Sequence, residues 1–255
     1  MQALQPLFSG SSGNSILVES REHAILVDAG VSGKRIVTAL TEKRKSISSI
    51  DAIFITHEHI DHIKSAGILS RRYHIPIFAN AATWRAMLPI IGDIPPSLCN
   101  TFETGETKII GDIEIKAFPI PHDAAAPVGY NFRIANHKVT VATDIGRMSE
   151  RIFLSLSGSD EILLESNYDI VMLQKGNYPY ALKQRILGEY GHLSNKEASL
   201  VCARLASLGT KHIILGHLSH ENNTPALAYD IAKHYIENCG VQVGRDIKLS
   251  VASRA

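Results

Sequence analysis

Short runs of β-branched and apolar residues recur along the chain, separated by polar and turn-forming residues. Such runs are typical of strands that are buried on one or both faces of a sheet. The pattern predicts strands over residues 15–19, 24–27, 52–55, 113–118, 128–134, 139–142, 162–164 and 212–215. The polar segments 21–23 and 135–137 each separate two of these runs, so they predict hairpins whose flanking strands pair antiparallel.

Apolar residues at helical spacing occupy much of the remaining sequence. They predict helices over residues 34–41, 81–88, 195–207 and 224–238. Thr224 and Pro225 have the residue types of a helix N-cap and first helical position. Strands that alternate with helices predict an α/β protein with mixed sheets. The succession of elements is similar in residues 1–120 and 121–255, which indicates a single domain, 1–255, made of two pseudo-related halves.

Composition narrows the class of protein without indicating a function. The 255 residues are 45% hydrophobic and 20% charged, as in a folded globular protein, and the net charge of +1 gives no global attraction to nucleic acid. The three cysteines are far apart, which argues against a disulfide framework or a thiolate zinc site. Neither a signal peptide nor a membrane-spanning run is evident, so we expect a cytoplasmic protein with no membrane partner.

The strongest chemical signal is the segment His57-Glu58-His59-Ile60-Asp61-His62, which directly follows a predicted strand. Imidazoles and carboxylates are the ligands that borderline divalent metals prefer, and a loop at a strand end can direct them to one point. Packing alone gives little reason for so many histidines and carboxylates in one loop after a buried strand. The segment therefore predicts a metal site, with His57, His59, Asp61 and His62 as ligands.

One loop cannot fill two coordination spheres, so further ligands are expected at later strand ends. His122, Asp144 and His217 each come just after a predicted strand. Any one of them is also compatible with an ordinary polar strand end. The recurrence of the same placement favours the metal interpretation.

These residues, in this order and with Asp28 at the end of an earlier strand, resemble the metallo-β-lactamase superfamily over essentially the whole chain. The resemblance implies an αβ/βα sandwich, in which two mixed β-sheets are flanked by helices and hold the metals at one edge. It implies that His57, His59 and His122 bind one metal and that Asp61, His62 and His217 bind the other. In this assignment Asp144 bridges the two ions.

Two further segments resemble the RNase Z-type phosphodiesterases of this superfamily. Gly-His-Leu-Ser occurs at both 191–194 and 216–219, and Glu165 stands where those enzymes carry a glutamate that orients the first of the two histidines, here His192. The RNase Z exosite arm is missing, and a β-CASP insertion cannot fit in this length. Neither tRNA 3′-end processing nor RNase J-like activity is therefore favoured.

Segments 8–15, 165–169, 191–195 and 217–223 together look like the bacterial YycJ (WalJ, VicX) subgroup, whose members are described as 5′-to-3′ DNA exonucleases. The resemblance implies a dinuclear phosphodiesterase that acts on nucleic acid, with DNA as the expected substrate, through a hydroxide that bridges two metals. In that hypothesis Asp61 accepts a proton, while His192, oriented by Glu165, assists the leaving oxygen. Zinc or manganese suits the ligands, and iron is compatible with them.

Other hydrolytic roles stay open on the sequence alone. The same fold hydrolyses thioesters, lactones and small phosphodiesters in other proteins, and a non-catalytic metal-binding regulatory module is a further alternative. The absence of an appended C-terminal substrate domain weighs against the glyoxalase II type of activity, and the complete ligand set weighs against a module without turnover.

Two segments are candidates for binding the end of a nucleic acid strand. The glycine-serine loop 9–15 has backbone N–H groups and hydroxyls suited to a phosphate, although it is equally compatible with a plain connecting loop. The stretch 219–223 offers similar groups after His217. The candidate substrate-binding residues are Ser11, Ser12, Asn14, Ser219 and Asn222. Basic pairs, including Lys183 with Arg185, receive no site role because such pairs are more often solvated.

Overall fold

The computed structural model describes residues 3–254, and β1 to β6 form its first sheet. The bounds of these strands are β1 Leu4–Phe8, β2 Ser15–Glu19, β3 Ala24–Val27, β4 Ala52–Phe54, β5 Ile77–Ala79 and β6 Cys99–Thr101. The strands lie side by side in sequence order. β1 to β3 pair antiparallel and β3 to β6 pair parallel, so the sheet is mixed, as the sequence predicted.

The second sheet has seven strands and the same division into antiparallel and parallel parts. Its strands are β7 Thr107–Ile110, β8 Ile113–Pro119, β9 Val128–Ile134, β10 His137–Ala142, β11 Glu161–Glu165, β12 His212–Gly216 and β13 Lys248–Val251. β7 to β10 are antiparallel, and β10 to β13 are parallel. The change of sheet falls between β6 and β7, because β7 pairs with β8 and β8 pairs with β9. Whether the two halves are related by duplication stays a prediction.

Helices follow the parallel strands and cover the outer face of each sheet. Their bounds are α1 Gly33–Glu42, α2 Ile60–Ile63, α3 Ala66–Tyr73, α4 Ala81–Ile91, α5 Glu150–Leu156, α6 Ile170–Lys175, α7 Tyr180–Leu187, α8 Asn195–Ser207 and α9 Pro225–Asn238. The four predicted helices are confirmed as α1, α4, α8 and α9. Thr224 caps α9 by accepting a hydrogen bond from Leu227 N, and Pro225 occupies the first turn, as predicted.

Three hydrophobic clusters fill the spaces between the layers of helices and sheets. In β3, Leu26 packs outward with residues of α1, α3 and α4, whereas Ile25 and Val27 point inward to a cluster shared by both sheets. A third cluster joins the second sheet to α5, α8 and α9. Strands covered on both faces explain the nearly continuous apolar runs in the sequence. The resulting α/β/β/α sandwich is the fold class that the resemblance implied.

No helix within residues 3–254 has the length and apolarity that crossing a bilayer requires. Cys99, Cys202 and Cys239 are all free thiols.

Tyr130 links the two sheets close to the end of β4. Its side chain is fully buried, and its hydroxyl donates a 2.7 Å hydrogen bond to the carbonyl oxygen of Ile55. Val128 N donates to Thr56 O in the same region, at 3.1 Å. These contacts join β9 of the second sheet to the segment that leads into His57.

We therefore expect Tyr130→Phe to lower the free energy of unfolding by about 1–3 kcal/mol, because it leaves the buried Ile55 carbonyl without a partner. Chemical denaturation monitored by circular dichroism measures the change. Tyr180→Phe is the matched control, since Tyr180 is 77% exposed. Equal stability of the two variants would contradict the structural role assigned to this hydrogen bond.

Candidate metal centre and acid-base site

The candidate site lies where strands of both sheets end. Side chains with metal-binding or acid-base chemistry occur at or just after the carboxyl ends of β3, β4, β8, β10, β11 and β12, and they are Asp28, His57, His122, Asp144, Glu165 and His217. β8 and β10 are both antiparallel to β9 and so run in the same direction as each other. The carboxyl ends of these strands therefore meet at one edge of the sandwich.

Left-handed backbone turns the chain sharply at three of these strand ends. The φ angles of Asp28, Asp144 and His217 are 62°, 61° and 54°. Non-glycine residues adopt this region infrequently, and it costs on the order of 1–3 kcal/mol where it is enforced. All three side chains are buried and contact other residues of the site, and these contacts offset the cost.

The one-turn helix α2 carries Asp61 and His62 and packs tightly on neighbouring loops. Ala29 N donates to His62 O at 2.7 Å, and Asn14 N donates to Asp61 O at 2.8 Å. A Cβ atom at Gly30 would lie 1.6 Å from Asp61 O, so this position has no room for a side chain. Backbone contacts from two loops thus fix the orientation of α2.

His57, His59 and His122 form the first group of donor atoms, which lie within 4.8 Å of one another. His57 is fully buried, and burial together with the charge of His62 holds its pKa well below the usual value. Its neutral ring therefore keeps one nitrogen lone pair, and its Nε2 lies 3.0 Å from His59 Nδ1. His122 Nδ1 lies 3.0 Å from the Gly191 carbonyl oxygen, which can only accept, so Nδ1 carries the proton and Nε2 remains available.

Asp61, His62 and His217 form a second group of donor atoms within 4.8 Å. His62 Nδ1 lies 2.8 Å from Asp28 Oδ2, and Thr56 N and Oγ1 donate to the same buried carboxylate. Burial lowers the pKa of His62, but the charges of Asp144, Asp28 and Asp61 outweigh it and raise this pKa well above the usual value. A ring surrounded by carboxylates in this way occupies a site that attracts cations.

Asp144 lies between the two groups. Its Oδ1 is 3.2 Å from His217 Nε2 and 3.7 Å from His122 Nε2, while its Oδ2 is 3.4 Å from His62 Nε2. Burial by itself raises the pKa of Asp144, but the charges of His217 and His62 hold it well below the usual value. Oδ2 is buried and has no hydrogen-bond partner among the described residues. A buried carboxylate oxygen without a donor is suited to binding a cation.

The donor set therefore fits divalent metal ions. The first group supplies three imidazoles, the second supplies two imidazoles and a carboxylate, and neither contains a thiolate. The Asp144 carboxylate lies near histidines of both groups. The structure brings together the seven residues that the sequence predicted as ligands, and their assignment as ligands remains a proposal.

His192 and Glu165 form a hydrogen-bonded pair beside these groups. His192 Nδ1 is 2.7 Å from Glu165 Oε1, and Glu165 Oε2 accepts from Ile145 N and Leu193 N at 2.7 and 3.1 Å. Burial opposes protonation of His192, but the charge of Glu165 and its hydrogen bond raise the pKa to about 9. His192 thus carries two ring protons at neutral pH, and Nε2 is the nitrogen that Glu165 leaves free.

Of the five candidate substrate-binding residues, two line the cavity and three do not. Ser11 and Ser219 line the cavity that contains the site, together with Asp61, Asp144 and His192. Ser12 is exposed and is not part of the cavity wall.

Asn14 and Asn222 are buried and do not line the cavity. Asn14 contacts ligand residues instead: its Nδ2 is 3.1 Å from His62 Nε2, and its Oδ1 is 3.3 Å from His217 Nδ1. Its position is that of a support for the two histidines. The side-chain amide of Asn222 has no hydrogen-bond partner among the described residues.

Sequence reasoning missed one wall of the cavity. Tyr178, Leu182, Arg185 and Ile186 line it, on and just before α7, and Asp123 lies beside them. Arg185 Nε donates to Asp123 Oδ2. The spacing of three to four residues between Tyr178, Leu182 and Arg185 was the available signal, but it did not show which side of the helix faces a cavity.

Two sheets enclosed by helices, with a histidine-aspartate cluster at their shared edge, define the metallo-β-lactamase fold. Residues 23–218 match the family described as the beta-lactamase superfamily domain, and the chain belongs to this family. The crystal structure of Zn²⁺-bound PqqB from Methylobacterium extorquens superposes with a TM-score of 0.73 at 15% identity, covering 99% of this chain and 98% of that one, which is a likeness of fold.

Curated relatives are similar across nearly the whole sequence. The chain is 41% identical over 243 residues to exodeoxyribonuclease YycJ of Bacillus anthracis, which is 95% of this chain and 92% of that protein. It is 42% identical over 245 residues to exodeoxyribonuclease WalJ of Streptococcus pneumoniae serotype 2, covering 95% of this chain and 91% of the relative. The subgroup that the sequence motifs resembled is thus confirmed.

Because Asp144 contacts histidines of both groups, we expect Asp144→Ala to lower the occupancy of both metal positions. Metal content per chain, measured by atomic emission after dialysis, gives the result directly. Asp246→Ala serves as the matched control, since Asp246 pairs with Arg245 on the surface. Two tightly held ions in folded Asp144→Ala protein would show that the carboxylate is not a shared ligand.

Proposed function

We propose that the protein is a metal-dependent exonuclease that hydrolyses phosphodiester bonds of DNA from the 5′ end. The observation that carries the proposal is the 41–42% identity, over 95% of the chain, to two proteins named exodeoxyribonucleases. The site supports it because its carboxylate and imidazole groups are suited to phosphoryl chemistry. A cytoplasmic location is part of the proposal, and the three free thiols favour a reducing compartment.

His57, His59 and His122 would hold one divalent ion, Asp61, His62 and His217 would hold the second, and Asp144 would contact both. Zinc or manganese suits these nitrogen and oxygen ligands, and iron is compatible with them. Bound ions would lower the pKa of coordinated water and neutralise charge on the phosphate oxygens.

Asp61 has the position and charge of a proton acceptor. It lines the cavity, and its side chain is 22% exposed. Burial raises its pKa, but the charge and hydrogen bond of His62 outweigh this and lower it below the usual value. The carboxylate is therefore ionised at neutral pH and can orient the attacking water and accept its proton.

His192 is the candidate acid. With Nδ1 held by Glu165, its Nε2–H is free to donate toward the cavity. As water attacks the phosphorus and the bond to the leaving oxygen breaks, His192 would pass a proton to that oxygen or hydrogen-bond to a phosphate oxygen. Glu165 positions the ring and stabilises its charge.

The reaction class can be tested with two small substrates. A phosphodiesterase should turn over bis-p-nitrophenyl phosphate in a chelator-sensitive manner and leave S-lactoylglutathione intact. Preference for the thioester would support the alternative hydrolase. Failure to turn over either substrate would support a regulatory module.

Digestion of end-labelled DNA and RNA, single- and double-stranded, tests the natural substrate and the polarity. We expect release of nucleotides from the 5′ end of DNA with zinc or manganese supplied. Products released from the 3′ end, or efficient cleavage of RNA alone, would contradict the proposal.

His192→Ala should keep near-normal metal content and lower phosphodiesterase kcat by ~10²–10⁴-fold, because it removes the acid without removing a ligand. His234→Ala, which changes an exposed histidine on α9, is the control. Parallel loss of metal and activity in His192→Ala would make His192 a ligand instead.

We further propose that Ser11, with the glycine-serine loop around it, receives a terminal 5′-phosphate. Ser11 lines the cavity, and its hydroxyl is suited to an anion. Ser11→Ala combined with Ser12→Ala should reduce the preference for 5′-phosphorylated over 5′-hydroxyl DNA, measured as the ratio of kcat/KM values. Equal losses on both substrates would indicate that the loop only supports the metal site.

A further inference from the structure

One wall of the active-site cavity is formed by residues whose role is not explained by hydrolysis itself. We call the four side chains Tyr178, Leu182, Arg185 and Ile186 the α7 wall. They lie in the same cavity as Asp61, Asp144 and His192, so a strand bound at the site would contact them. The wall combines a basic group, an aromatic ring and two aliphatic side chains.

Arg185 supplies a permanent positive charge to a cavity rich in carboxylates. Asp61, Asp123 and Asp144 all line the cavity. Among the lining residues that the structure describes, Arg185 is the one arginine, and no lysine is present. Its Nε donates to Asp123 Oδ2, and its side chain is 57% exposed. No described residue bonds to its two terminal amino groups. These groups are therefore available to bind a phosphate.

Asp123 holds Arg185 at the mouth of the metal centre. Asp123 Oδ1 is 3.3 Å from His122 Nε2 and 4.0 Å from His59 Nε2, while Oδ2 accepts from Arg185. The carboxylate thus fixes the guanidinium beside the first ligand group. A phosphate bound by Arg185 would be a near neighbour of the one being cleaved.

Tyr178 offers a ring to a base. It is partly buried, lines the cavity, and makes no ring-stacking contact or hydrogen bond with any described residue. Aromatic side chains next to a basic group are the usual means of holding single-stranded nucleic acid without reading its sequence. Leu182 and Ile186 extend the apolar surface beside it.

The segment after α7 is firmly connected to the catalytic groups. His192 N donates to Ile186 O at 3.1 Å, and Gly191 fits against the same carbonyl, where a Cβ would lie 2.1 Å away. Lys183 Nζ donates to Gln174 O at 2.8 Å and ties α7 to α6. The end of α7 that carries Arg185 and Ile186 is therefore held close to His192.

We propose that the α7 wall is the binding surface for the nucleotide adjacent to the scissile phosphate: Arg185 binds a phosphate that is not cleaved, and Tyr178 stacks on its base. This inference rests on the proposed function, because it assumes a polynucleotide substrate. It assigns the recognition of a single strand to residues that do not contact the reacting atoms.

Fluorescence polarisation with a labelled single-stranded oligodeoxynucleotide, whose 5′-terminal linkages are phosphorothioates to resist cleavage, measures binding to the metal-loaded protein. Arg185→Ala should raise Kd on the order of 10-fold, since a charge-assisted contact is lost. The slope of log Kd against log salt concentration should also fall by about 0.7, which corresponds to one phosphate contact on a single strand.

Asp123→Asn combined with Arg185→Ala is a second variant, because removal of Arg185 alone leaves a carboxylate unpaired next to His122. It should show the same loss of affinity and salt dependence with normal metal content. Arg204→Ala is the matched control, since Arg204 also pairs with a carboxylate, Glu150, and is 55% exposed away from the cavity.

Tyr178→Ala should weaken binding on the order of 10-fold, and Tyr178→Phe should restore it, because the ring rather than the hydroxyl stacks on the base. Tyr180→Ala, two residues further on at a site outside the cavity, should bind like the unchanged protein.

Cleavage of bis-p-nitrophenyl phosphate, which has no second phosphate, completes the test. In the Arg185 variants, the fold-loss in kcat/KM for this substrate should be far smaller than the fold-loss in affinity for DNA. Equal losses on both substrates, or unchanged DNA affinity, would overturn the role of the α7 wall while leaving the exonuclease proposal intact. Unchanged protein that neither binds nor cleaves DNA would overturn the proposed function itself.

Discussion

The buried carboxylate of Asp144 is the group on which the site depends. It lies 3.2 Å from His217 Nε2 and 3.4 Å from His62 Nε2, and these rings come from different sheets. A buried carboxylate is strongly destabilising without partners, and the buried rings around it would in turn lose their counter-charge if the carboxylate were removed. The strand ends of both sheets must therefore meet at this point, and the sandwich geometry provides that meeting.

Hydrogen bonds behind the histidines decide which nitrogen faces the centre. Asp28 contacts His62 Nδ1, the Gly191 carbonyl contacts His122 Nδ1, and Asn14 contacts His217 Nδ1. In each case Nε2 lies within 3.7 Å of the Asp144 carboxylate, and that of His62 is also 3.1 Å from Asn14 Nδ2. His192 follows the same arrangement through Glu165, which holds Nδ1 and, against the effect of burial, raises the pKa of the ring to about 9. The hydrogen-bond partner of each Nδ1 thus sets the orientation of its ring.

Buried asparagines explain several motifs that the sequence singled out. Asn167 Nδ2 donates to His217 O at 2.8 Å, and Asn223 Nδ2 donates to the carbonyl oxygens of Ser166 and Asn167 at 2.8 and 3.0 Å. Asn195 exchanges side-chain hydrogen bonds with Asn223. These contacts anchor the loop that carries His217 to the starts of α8 and α9, so the motif residues act as a support for that loop.

The sequence by itself determined the long apolar strands, the amphipathic helices and the ligand segment 57–62, because each is encoded by residues close together in the chain. Short strands such as β1, which contains Pro6, and β6 were missed, since only pairing with neighbours makes them strands. Tertiary structure alone decided that Asn14 is buried behind the histidines and that Arg185 faces the cavity. Those outcomes depend on which distant segments pack together, and residue type does not specify that.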